Sequence, residues 1–150
     1  MEDLDRMKKD LQELFDSQRL GVLATQDEGQ PYTSLVAFAS GEDLKQLFFA
    51  TSRATRKYSH VSRDARAAML IDNRSNEASD FRWARAVTAL GRAREIPGNE
   101  KDEPLRRYLL KHPHLEEFVF SPSCAFLEIN VDRYIVVTRF QNVREVQVRQ

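Results

Sequence analysis

The sequence predicts a mainly β domain with peripheral α-helices, an antiparallel barrel or sandwich of six or seven strands. Three observations carry this. Strand-like apolar runs recur from residue 20 almost to the C-terminal end. Short polar turns separate the first of them, which joins neighbours antiparallel, because a parallel pair needs a long crossover. Only two segments carry a clear helical stripe, too few for a layered parallel fold.

The elements follow in order. Leu4, Met7, Leu11, Leu14 and Phe15 recur at helical spacing among charged neighbours, so residues 3–17 read as an amphipathic helix that packs on something flatter. From Leu20 the period changes. Leu20–Thr25, Tyr32–Ala39 and Leu47–Thr51 are three strands, joined by the turns Asp27-Glu28-Gly29-Gln30 and Ser40-Gly41-Glu42-Asp43. Ala54, Tyr58 and Val61 share one face of a short helix ending near Asp64. Ala67–Ile71 is a fourth strand, Asp72–Asp80 a polar loop, and a long strand runs from about Trp83 to Ile96, where Pro97-Gly98 stops it. Leu105, Tyr108 and Leu109 mark a helix over Glu100–Lys111, closed by His112-Pro113. Cys124–Val131 and Tyr134–Thr138 read as two strands, and Val143–Val148 as the last.

At 150 residues the chain has the size of one domain, 1–150, able to bury roughly two thirds of its unfolded surface. Lys+Arg and Asp+Glu are both 23, so there is no global field to hold nucleic acid or an anionic membrane, and any anion site must be local. The longest apolar stretches are five residues, far short of a membrane span, and the charged start does not resemble a secretory signal. A cytoplasmic protein is the expectation. One cysteine can form no internal disulfide, and three histidines show no zinc spacing. The five glycines are too scattered for a dinucleotide fingerprint or a phosphate loop.

The most informative stretch is Thr51-Ser52-Arg53-Ala54-Thr55-Arg56-Lys57, three hydroxyls and three cations in seven positions. A strand end feeding a helix start leaves backbone N–H groups that a phosphate can satisfy, with Arg56 gripping oxygens as a fork and Lys57 as a point charge. The same stretch also reads as a Ser/Thr-capped helix whose basic side chains are solvated. His112-Pro113-His114 fits a helix-ending histidine better than a metal or haem ligand set, and Cys124 fits a small buried residue better than a nucleophile. Phe118-Val119-Phe120 reads as packing, and Trp83 as a core or subunit-contact residue or a neighbour of a bound ring.

Pro31–Phe38, Leu47–Thr51, Thr55-Arg56-Lys57, Ala65–Ile71, Arg85–Ala93 and Tyr134–Val137, in that order and spacing, resemble the pyridoxamine 5'-phosphate oxidase-like family of FMN-binding split barrels over roughly residues 18–140. The resemblance implies a split β-barrel, a homodimer with flavin at the subunit interface, and FMN as cofactor. It implies flavin contacts from Ser34, Leu35, Val36 and Ala37, from Ala50, Thr51 and Ser52, from Arg56 and Lys57 at the phosphate, and from Asn73 after the fourth strand. Pyridoxamine phosphate oxidase itself carries an arginine, a lysine and a glutamine where this chain has Ser34, Ala39 and Ala86, and a substrate-gripping tail unlike Val146–Gln150. The expectation is therefore a flavin oxidoreductase acting on another small molecule, with a non-catalytic flavin or haem carrier or sensor as the alternative, and a deazaflavin as the alternative cofactor. A nucleic-acid-binding barrel is disfavoured by the zero net charge and the lack of a basic face interleaved with aromatics.

Overall fold

The computed structural model describes residues 2–139 and 141–148. Helix α1 spans Glu2–Ser17, and β1 (Leu20–Asp27), β2 (Gln30–Ser40) and β3 (Gln46–Ser52) follow. Helix α2 (Arg56–Arg63) leads to β4 (Arg66–Asp72), the single turn α3 (Asp80–Trp83) and β5 (Arg85–Glu95). Helix α4 (Asp102–Lys111), a second single turn α5 (Glu116–Val119), β6 (Cys124–Thr138) and β7 (Asn142–Gln147) complete the chain. The order β3-β2-β1-β4-β5-β6 closes on itself through an antiparallel β3–β6 pair, and β7 extends the far edge of β6. This is a six-stranded barrel with one added strand, as the sequence predicts.

The β1–β2 hairpin shows why the local sequence folds this way. Glu28 and Gly29 both take positive φ, +50° and +83°, in a two-residue turn whose twist matches that of the strands it joins. The inward residues Leu23, Phe38, Leu47, Phe49, Met69, Ile71, Val87, Ala89, Leu127 and Ile129 fill the barrel. Helix α1 covers one mouth with Leu11, Leu14 and Phe15, the Phe15 ring meeting Phe38 edge-on at 5.9 Å. Helix α2 covers the other, where the buried His60 Nδ1 lies 2.9 Å from Thr25 Oγ1. A second cluster lies outside the barrel, with Tyr108 of α4 and Val119 of α5 packed on Ala39, Phe48 and Phe126.

Three readings change. Cys124–Val131 and Tyr134–Thr138, which the sequence predicts as two strands, belong to one strand of fifteen residues. The polar Asn130-Val131-Asp132-Arg133 marks a bulge and no break, because Leu90 pairs with Arg133 and Gly91 with Val131, which leaves Asp132 as the extra residue. The long strand starts at Arg85, since Asp80–Trp83 forms a helical turn that puts Trp83, 66% exposed, on the surface and not in the core. Of the Phe118–Phe120 segment only Val119 is buried. Arg149 and Gln150, at the end of the Val146–Gln150 tail, lie outside the described residues.

Candidate functional site: the split between β2 and β3

Strands β2 and β3 pair only through Phe38–Phe49, Ala39–Phe48 and Ser40–Leu47. Beyond that point Gln30–Ala37 pair with β1 alone, and Ala50–Ser52 with β6 alone. Two strand edges therefore face each other across a gap without bonding, and their backbone groups are available to a ligand. At the closed end the Tyr108 hydroxyl donates to Ala37 O at 3.0 Å and also meets the Ala50 backbone. Burial drives the Tyr108 pKa far above its ordinary value, so the phenol keeps its proton.

At the open end β3 runs into α2. Thr55 caps the helix, its hydroxyl accepting from Tyr58 N and lying 2.9 Å from Thr51 Oγ1. Ser52 Oγ accepts from Ala54 N. The first turn of α2 holds no acidic residue, and the backbone N–H groups of Arg56 and Lys57 precede any helical acceptor. Neither side chain pairs with a carboxylate among the described residues. The Arg56 guanidinium lies 5.9 Å from the centroid of the Tyr32 ring. Arg53, the third cation of the stretch, is committed elsewhere: it donates to Pro122 O, Cys124 O and Glu95. Burial pushes the Glu95 carboxyl up, but hydrogen bonds from Tyr58 and Arg53 outweigh it and hold the group below its ordinary value.

Strand alternation divides the β2 contribution. Ser34 and Val36 point inward with their cross-strand partners, while Leu35, 66% exposed, and Ala37 point outward. Ser34 Oγ is the one buried side-chain polar atom among the described residues that lacks a hydrogen-bond partner. Such an orphan costs free energy unless something supplies its bond. The structure thus gathers Ser34, Leu35, Val36, Ala37, Ala50, Thr51, Ser52, Arg56 and Lys57 along one gap. It does not bring Asn73 there. That residue stands across β1 from the split, its Oδ1 accepting from Arg85 N at 2.7 Å. Tyr32 and Tyr108 are parts of the site that sequence reasoning missed. Tyr108 shows in sequence only as a core position of a helical stripe, and nothing local signals that its hydroxyl reaches β2.

His60 and His112 are buried and hydrogen-bonded, while His114 is exposed. Burial lowers the His112 pKa against the hydrogen bond of Nε2 with Phe38 O at 2.7 Å, and no group of residues suited to a metal ion occurs among the described residues. Cys124 is buried at the start of β6, where burial raises its thiol pKa. Among the described residues no helix is long and apolar enough to cross a membrane.

A barrel closed on one side of β3 and parted on the other is a split barrel, and solved structures share this fold. A family model described as Pyridoxamine 5'-phosphate oxidase matches residues 7–146, and the chain belongs to that family. A heme binding protein from Mycobacterium smegmatis superposes with a TM-score of 0.83 at 19% identity, over 93% of this chain and 57% of that one. This chain thus spans little more than half of that relative's length. General Stress Protein 26 from Bacillus anthracis gives 0.70 at 17% identity, covering 95% and 99% of the two chains. A FAD-binding protein from Mesorhizobium loti gives 0.67 at 18%, covering 85% and 90%. Among curated proteins none matches the sequence.

Proposed function

We propose that the split binds FMN and that the protein is a flavin-dependent oxidoreductase acting on a small molecule other than pyridoxamine phosphate. The observation that supports this best is the pairing of an unbonded strand gap with two uncompensated cations, Arg56 and Lys57, at its open end. The donor set fits the group: cations and free N–H groups for a phosphate, strand edges for the polar rim of a flat ring, and the orphaned Ser34 hydroxyl. A bound flavin would supply the electron-transfer chemistry, while the protein positions it and sets its electrostatic surroundings. Leu35 and Ala37 lend apolar surface on the outward side of β2, and Tyr108 stays neutral at the closed end, its proton donated to Ala37 O.

The site becomes a pocket when two chains associate. Leu35, Val22, Leu70, Thr88 and Ile135 form one ladder straight across the outer face of β2, β1, β4, β5 and β6, and none of them is buried in the single chain. An apolar row of this kind, starting beside the split, suits a twofold homodimer. Asn73 would then serve the partner's gap.

Replacing both Arg56 and Lys57 by Ala tests the reading. Each charge-assisted bond contributes about 1.5–3 kcal/mol, so FMN affinity falls by roughly two orders of magnitude or more. Riboflavin, which lacks the phosphate, binds the unaltered protein weakly and is indifferent to the double substitution. Equal losses for the two ligands, measured by fluorescence titration, would overturn the assignment.

The carrier or sensor reading is favoured by one observation: the heme binding protein from Mycobacterium smegmatis shares this fold at a TM-score of 0.83. In its haem form only His114 is exposed, since His60 and His112 are buried and engaged. Tight flavin retention without reduction by a nicotinamide donor would select the carrier.

A further inference from the structure

A cleft of about 620 Å³ lies between α1, α3 and the strands β5 to β7, at the mouth opposite α2 and so away from Arg56 and Lys57. Five arginines from three stretches of the chain line it: Arg6, Arg82, Arg85, Arg139 and Arg144. Among the described residues none of the five pairs with a carboxylate, and Asp10 is the one acidic side chain in the lining. In a chain of zero net charge this concentration of like charge is unusual: five guanidinium groups against one carboxylate in a single concavity repel one another. The floor is apolar, built from Leu11, Leu14, Val87 and Val136. Trp83 stands at the side of the cleft, 66% exposed, and presents a large flat ring.

We propose that this cleft is a second binding site, for a small molecule that joins a flat aromatic ring to two or more negative charges, of the nucleoside diphosphate kind. Each feature of the lining meets one part of such a ligand. Guanidinium forks bind phosphate oxygens two at a time, and several forks suit several phosphates. The Trp83 ring offers a stacking face for a base. The volume fits one small ligand and not a duplex or a long strand. Within one chain this cleft shares no lining residue with the split.

The chain has a single tryptophan, Trp83, so intrinsic fluorescence reports from the cleft itself. Titrating the protein with ADP gives a saturable change in that signal, with adenosine at least tenfold weaker. The Arg82→Gln/Arg144→Gln variant loses at least tenfold in ADP affinity while its melting profile and FMN binding persist. Arg6→Gln, on the exposed side of α1, provides a second and independent loss should the double variant fail to fold. The Arg56→Ala/Lys57→Ala protein keeps the ADP response, which separates this site from the split. No saturable signal in fluorescence or calorimetry at millimolar ADP, equal affinity for adenosine and ADP, unchanged ADP affinity in both arginine variants, or tighter binding of a single-stranded oligonucleotide would each overturn the proposal.

Discussion

Ser34 and Lys111 are side chains whose surroundings do not match their chemistry, and each makes a measurable claim. A buried hydroxyl without a partner gives up its water and gains nothing, so Ser34→Ala leaves the ligand-free protein as stable or slightly more so. If the hydroxyl serves a cofactor in the split, the same change costs about 1 kcal/mol of its binding, or roughly fivefold in affinity. Melting without ligand and titration with FMN read the two halves separately. Lys111 donates to Phe15 O at 2.7 Å, the carbonyl end of α1, with its ammonium 3.9 Å from the centroid of Phe38. Burial pulls its pKa from 10.5 down to about 8, against the attraction of Asp16. Between about pH 8 and 10.5 the unfolded chain holds a proton that the folded chain has released, so this group makes stability rise with pH across that window. Lys111→Met removes the rise, and chemical denaturation at pH 8 and pH 10 compares the slopes.

At the scale of elements, the structure turns on where strands stop pairing. The first three strands, the α1 stripe and the α2 start were legible because alternation, helical spacing and Ser/Thr capping are local signals. The single strand β6 was not: its bulge places Asn130 and Asp132 where a polar run usually ends a strand, and only pairing with β5 keeps it continuous. Gly91 is the complement of that bulge. A Cβ there would meet Asn130 O at 2.0 Å, so Gly91→Ala forces the β5–β6 pair apart. The expected cost is about 1–3 kcal/mol or more, read as a lowered midpoint in denaturant. The hydroxyl and cation stretch marked the open end of the split from sequence, yet composition could not separate Arg53, tied to Glu95, from Arg56 and Lys57, which pair with no carboxylate among the described residues. That sorting depends on contacts 42 residues apart along the chain.

At the scale of the molecule, two outer faces share one problem and solve it differently. Phe48 and Phe126 point outward and are covered by α4 and α5 within the chain. Among the described residues the ladder from Leu35 to Ile135 has no such cover, and the sequence hinted at this through strands apolar on both sides. Leu70 stands at its centre, so if the ladder is the proposed dimer seam, Leu70→Asp converts a dimer to a monomer at micromolar concentration in sedimentation and weakens FMN retention with it. A monomeric unaltered protein that holds flavin as tightly would contradict the shared site. The same α4 that covers Phe48 has another consequence, through the phenol of Tyr108 at the fork of β2 and β3. Two strands that begin to part can zip or unzip by a residue at a time, and each step would alter the room between them. With Tyr108 set at the fork like a wedge, the gap keeps its width when empty, and an arriving ligand loses less free energy to ordering its own receptor.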